Sequence, residues 1–161
     1  MRTGHRGFSL IELLIVVAII LIIAAIAIPN LLRSRVAANQ ASAVQSLRII
    51  GTAEVTYSTT YGIGFSTNLA QLGPVPPGAQ PTSMAAGLLD DLLAAGAKSG
   101  YTFTYTPTLL DPLGHYNGYI IQANPLVVGQ TGQNYYYVDQ NDVICLNATS
   151  PASSTDSPVA Q

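Results

Sequence analysis

From Leu13 to Ile28 the chain carries no charged or polar side chain, and Pro29 closes the run. Counted from Phe8, the stretch is about 21 residues, roughly 30 Å as a helix, which matches the hydrocarbon core of a bilayer. Arg2, His5 and Arg6 precede it. The positive-inside bias places that end in the cytoplasm and the rest of the chain across the membrane. One carboxylate, Glu12, stands at the head of the apolar run. An acid in a membrane helix costs about 2–3 kcal/mol at the centre and less near the edge.

Three readings compete for this segment. A secretory signal peptide would be cut after the Ala25-Ile26-Ala27 triplet. A plain signal anchor would not be cut. A segment cut on its cytoplasmic side would keep the apolar helix. Neither a signal peptide nor a plain anchor gains anything from Glu12. A cut between Gly7 and Phe8 would create an amine on Phe8, four residues before Glu12. Spacing of i to i+4 puts both groups on one helix face. Opposite charges there can neutralise each other within a chain or between neighbours, and the best-attested use of such pairs is to fix register. Periodicity alone leaves open a Glu12 that sits at the headgroup boundary without a role.

Gly7-Phe8-Ser9-Leu10-Ile11-Glu12-Leu13, with a short basic leader before it and Pro29-Asn30 after the apolar run, resembles the class III signal of type IV prepilins and type II secretion pseudopilins. The strong match covers roughly residues 1–35. The resemblance implies cleavage after Gly7 by prepilin peptidase and N-methylation of Phe8. It also implies that Glu12 aids subunit recruitment through the Phe8 amine of a neighbour; monomethylation leaves the charge of that amine in place. Many members of the family have Gly where this chain has Leu21, and their helix often melts between that Gly and the Pro. Pro29 still lacks an N–H donor, so a shorter melted stretch or a simple kink is expected before it.

After Pro29 a helical pattern resumes. Leu32, Val36, Ala37, Ala41, Val44, Leu47 and Ile50 recur at three- and four-residue steps, and Gly62 ends the segment. Residues 67–72 suggest a helical turn, Pro74 to Pro81 an extended loop, and Leu88 to Leu93 a short amphipathic helix. Tyr101 to Thr106 alternates aromatic and Thr, the pattern of a strand with one face buried. Gly118 to Ala123 is a second strand, and 134–138 and 143–146 flank a turn at Asp139-Gln140-Asn141-Asp142. The Ser-, Thr- and Pro-rich tail reads as disordered. The organisation expected is therefore a leader at 1–7, a membrane or filament-core helix at 8–29, its amphipathic second half at 30–61, a loop-rich domain at 62–147 and a tail at 148–161. The fold class is α+β, pilin-like, with one long N-terminal helix packed on a small antiparallel sheet.

Little chemistry is on offer. Without the first seven residues four bases face eight acids, and beyond Gly62 only Lys98 faces six aspartates. Such a domain is a poor nucleic-acid binder. Single Cys145 excludes an intrachain disulfide and reads as a small apolar strand residue. His115 alone supports neither a triad nor a zinc site. Asp90 and Asp91 are adjacent and point apart on a helix. Asp111, Asp139 and Asp142 could supply oxygen ligands to calcium, and Asp111-Pro112-Leu113-Gly114 faintly resembles an Asp-Pro-Trp-Gly motif of major pseudopilins. The missing Trp and the ordinary use of Asp in turns favour the turn reading. Asn147-Ala148-Thr149 matches a glycosylation sequon, read here as coincidence.

The expected function is a structural subunit, not an enzyme, without cofactor or metal. Its expected partners are further copies of itself in a helical homopolymer, prepilin peptidase, an assembly ATPase with platform machinery, and the inner membrane before assembly; no nucleic acid is expected. A pseudopilin of a type II secretion system is the alternative within this class. A membrane-anchored or secreted binding domain is the alternative outside it.

Overall fold

The computed structural model describes residues 8–159. They divide into two compact units, one ending at Arg35 and one beginning at Val36. Helix α1, Leu10–Tyr61, supplies all of the described helix in the first unit and the opening element of the second.

In the first unit α1 is continuous through Leu21 and Pro29, so of the shorter melted stretch or simple kink expected before the proline, the melted stretch is absent. The physical reason lies at Leu21. Leucine lacks the backbone freedom that lets glycine leave the helical region, and Leu, Ile and Ala on both sides are good or acceptable helix formers. Pro29 removes one backbone bond, but the turns on both sides hold the helix.

In the second unit the three- and four-residue steps of the sequence become a buried stripe. Ala43, Leu47, Ile50 and Tyr57 are all buried against the domain. The helix stops where Gly62 turns left-handed at φ +64 and its N–H reaches back to the Ser58 carbonyl at 3.0 Å. A short 3₁₀ turn, Leu69–Leu72, is capped by the Asn68 side chain. Helix α2, Asp91–Ala94, is capped by the Asp90 carboxylate, which accepts from Leu93 N–H at 2.8 Å.

Six strands follow: β1 Ala97–Lys98, β2 Tyr101–Leu110, β3 Tyr116–Pro125, β4 Tyr135–Asp139, β5 Cys145–Asn147 and β6 Ser157–Pro158. Each pairs antiparallel with its neighbour in sequence, giving one sheet in chain order. The α+β, pilin-like class expected from the sequence is the class observed. The register explains the core. Phe103 lies opposite Ala123, and Ala123 opposite Tyr136. A small residue between two rings lets both reach the helix. Tyr105 faces Ile121 and Ile121 faces Val138 in the next row. These rows and the buried stripe of α1 form one apolar cluster.

The tail corrects an expectation. Residues 148–159 are ordered: β6 pairs with β5, and Val159 N–H donates to Ile144 O at 2.8 Å. Fully buried Ala152 packs with Tyr137 and Cys145 in a second, smaller cluster. Composition signals disorder because it counts apolar area. It misses the side chain–backbone bonds of Asn147 and Asp156, which fold the segment locally. Asn147 Oδ1 accepts from the N–H groups of Thr149 and Ser150, and its amide donates to Asp156 at 2.9 Å.

Candidate assembly segment

The residues singled out at the N-terminus fall at the start of α1. Gly7, the expected cleavage position, lies outside the described residues. Phe8 precedes the helix and is exposed. Ser9 N–H donates to the Glu12 carboxylate at 3.0 Å, and Leu13 N–H closes the first turn on Ser9 O at 3.2 Å. Ser-x-x-Glu with this bond is one half of a capping box. An acid in the first turn also suits the positive end of the helix dipole. Glu12 thus has a local partner in Ser9 that a reading of charge alone does not give, and the motif Ser9-x-x-Glu12 that signals it stands in the sequence. The structure brings Phe8 and Glu12 to the same helix end, and the carboxylate is held by Ser9.

From Leu10 to Ile28 every Leu, Ile and Val of α1 is exposed, including Leu21 at 63%. This part of the helix is apolar on all sides and long enough to cross a membrane, and among the described residues its apolar side chains are exposed. Each such side chain left in water forgoes about 1.5–3 kcal/mol, so the run amounts to tens of kcal/mol. This surface requires lipid or other apolar helices around it.

The domain offers structural uses for its polar groups. Glu54 is fully buried; its carboxylate accepts from Ser66 N–H at 2.9 Å and from Ser66 Oγ–H at 2.6 Å. Tyr105 O–H donates to Ser66 O at 2.9 Å, so α1, the following loop and β2 meet at one polar knot. Burial pushes the Glu54 carboxyl above its ordinary range, opposed by the Ser66 hydrogen bonds. The Tyr105 phenol is likewise driven up, first by burial and then by the nearby Glu54 charge. Glu54 is hidden in the sequence because the apolar steps that mark the buried stripe end at Ile50. One further step of four lands on it.

The three aspartates weighed as cation ligands sit in turns. Asp111 Oδ1 accepts from Leu113 N–H at 2.9 Å and from His115 N–H at 2.8 Å. The His115 N–H bond, first among its causes, holds the Asp111 carboxyl below its ordinary range. The Asp111 carboxylate also lies 3.5 Å from His115 Nδ1. Asp139 Oδ1 accepts from Asn141 N–H at 2.9 Å in the β4–β5 turn, where Asp142 adopts φ +60. Among the described residues no three His, Cys, Asp or Glu side chains converge as a metal site. Asp90 caps α2 and pairs with Lys98, while Asp91 opens the helix. Cys145 is buried, and burial raises its thiol pKa.

Comparison with known proteins agrees with this emphasis on the N-terminus. Residues 2–28 match the model of the prokaryotic N-terminal methylation motif. The chain is 49% identical over 53 residues to the type IV major pilin protein PilA of Myxococcus xanthus, covering 33% of this chain and 24% of that protein. It is 68% identical over 34 residues to the type IV wide pilus major component PilA4 of Thermus thermophilus, covering 21% of this chain and 26% of that protein. The matched stretches thus span about a quarter of the length of these relatives. No solved structure matches. The start of this chain carries the methylation motif of prokaryotic prepilins.

Proposed function

We propose that this chain is a type IV pilin: a structural subunit that polymerises into a filament after its leader is removed. The observation that carries the reading is the wholly exposed apolar helix from Leu10 to Ile28, headed by Glu12 and contained within the methylation motif. A membrane satisfies that surface in the precursor, and the helices of other copies satisfy it in a filament. Exchange of one apolar surrounding for another costs little in burial, so subunits can leave the bilayer if register is fixed by something polar.

In this reading prepilin peptidase cuts after Gly7 and methylates Phe8. The freed amine of one subunit meets Glu12 of its neighbour. The carboxylate leaves or shares its bond to Ser9 N–H and accepts from the ammonium, a charge-assisted bond stronger than the one it replaces. The precursor sits in the inner membrane with its N-terminus in the cytoplasm. A secretion-type ATPase and platform machinery extract it, and the domain faces the surroundings of the filament. A pilus is favoured over a secretion pseudopilus because both relatives described above are named as pilus components.

The test is a native-host strain in which Glu12→Ala replaces the wild-type chain. Wild-type cells should shed filaments containing this chain on shearing. The variant should be cleaved normally and accumulate in the membrane, with filament yield down at least tenfold. Normal filament yield from the variant would remove Glu12 from the mechanism; no filaments from wild type would overturn the reading.

A further inference from the structure

The longest strand pair of the domain, β2–β3, presents an apolar cluster at each end. At one end the strands are joined by the turn around Asp111. Leu109, Leu110 and Leu113 are 63%, 62% and 81% exposed there. The turn is cross-bonded: Asp111 N–H donates to His115 O at 2.8 Å, Gly114 N–H to Asp111 O at 3.1 Å, and the Asp111 carboxylate accepts from two further backbone groups. Its charge is thereby turned into its own loop. Leu109 adopts φ +54, a left-handed conformation that is strained for a leucine. Its Cδ1 lies over Gly118, 2.9 Å from where a Cβ would stand, with Thr108 Oγ1 nearer still at 2.6 Å, so the tip packs closely on this glycine.

At the other end β3 runs into Leu126, Val127 and Val128, which are also exposed. This loop is tied as well. Leu126 N–H donates to Gly100 O at 2.9 Å, Thr131 N–H to Val127 O at 2.9 Å, and the Asn39 side chain to Thr131 O at 2.8 Å. Residues 124–134 contain no charged side chain.

The two clusters lie at opposite ends of the domain's stretch of α1. The Val127 loop is bonded to Asn39, whereas the other end of the ribbon meets the chain just beyond Tyr61, where Phe65 N–H donates to Tyr116 O at 2.7 Å. Ten strand residues and the helix from 39 to 61 both span about 30 Å. A surface with one apolar cluster at each end cannot bring the two together within one molecule. A second copy translated along the same direction can.

We propose that the Leu109/Leu110/Leu113 tip of one subunit docks on the Leu126/Val127/Val128 loop of the next, a head-to-tail contact between domains. The contact is heterologous, so it propagates instead of closing into a pair. Its size argues for the same occupant. Three side chains on each face fall well short of the about 800 Å² per partner that a stable soluble complex buries. The contact therefore has use only where another association already aligns the copies, and the apolar helices of the filament provide that. This inference rests on the pilin reading above.

Disulfide trapping tests it in sheared filaments from the native host. Leu113→Cys combined with Val128→Cys should give, under mild oxidation, a ladder of dimers, trimers and higher species on a non-reducing gel. Either substitution alone should give monomer, because a head-to-tail contact never brings two copies of one position together. Cys145 is buried and serves as an internal control. Filaments of the double variant without a ladder would overturn the proposal, and so would dimers from a single variant. Leu110→Asp and Val127→Asp, made separately, should each lower filament yield at least fivefold, whereas Thr155→Asp in the exposed tail should not. Normal yield from both would also overturn it. Wild-type cells without filaments would instead bring down the pilin reading, and this contact with it.

Discussion

Helix α1 carries two glutamates, and the difference between them separates the two halves of the molecule. Glu12 is exposed at the head of an apolar surface that is itself exposed among the described residues. Glu54 is fully buried, its carboxylate held by both hydrogen-bonding groups of Ser66. The apolar residues around them divide in the same way. Leu13 to Ile28 face outward on every side, while Leu47, Ile50 and Tyr57 bury one stripe against the chain's own sheet. The second half of the helix completes a fold; the first half leaves its apolar side chains exposed among the described residues. In the proposed reading the carboxylate of the first half selects the helix's partners, whereas that of the second half holds a loop in place.

The comparison breaks most sharply at Glu12. Glu12→Ala should abolish at least nine-tenths of assembly while leaving the domain's urea unfolding curve unchanged, since its carboxylate is bonded to Ser9 at the start of the helix. Glu54→Ala should do the reverse in origin. It leaves Ser66 N–H and Oγ–H without their buried acceptor and opens a cavity, so the domain should lose about 2–4 kcal/mol in urea unfolding. Any assembly defect should then track the amount of folded protein.

The pH dependence sharpens the contrast. The folded state holds the Glu54 carboxyl above its ordinary range, so folding favours the protonated form. Below the unfolded carboxylate pKa both states are protonated and this contribution is fully present. As pH rises through that value, the unfolded chain releases its proton while the folded chain keeps it. Stability therefore falls until pH passes the raised folded pKa. Glu54→Gln keeps the shape, with one oxygen to accept from Ser66 N–H and an amide to donate to Ser66 Oγ. Its stability should lack this decline between mildly acidic and neutral pH, as read by unfolding midpoints across that range. An identical slope in wild type and variant would show that another group titrates.

Smaller effects should follow from the domain's turns. Asp90→Ala removes the cap of α2 and should cost about 1 kcal/mol. His115→Ala should change neither stability nor assembly measurably, because the turn it occupies is held by the Asp111 carboxylate through backbone N–H groups.

What was legible in the sequence follows the same division. The apolar run declares itself because sixteen apolar residues in succession, Leu13 to Ile28, admit few structures, and the signature around Gly7, Phe8 and Glu12 needs only local spacing. Strand β2 was legible because Tyr101, Phe103 and Tyr105 alternate with threonines, and the helix end because Gly62 follows a weakening pattern. What escaped depends on polar groups whose partners are distant or irregular. Glu54 bonds a loop residue twelve positions away. The tail bonds through Asn147 and Asp156 and adds a strand too short to show a period. Leu21 points the right way, toward less melting than the family pattern, and the helix goes further by staying continuous to Tyr61.

The account stands on what the mature chain begins with. Intact-mass and N-terminal peptide analysis of the chain recovered from sheared filaments should find N-methylated Phe8 as the first residue, with the whole apolar run retained. A chain beginning at Ile28 would mean that the apolar segment is discarded as a signal peptide, and would contradict the assignment of that segment to assembly.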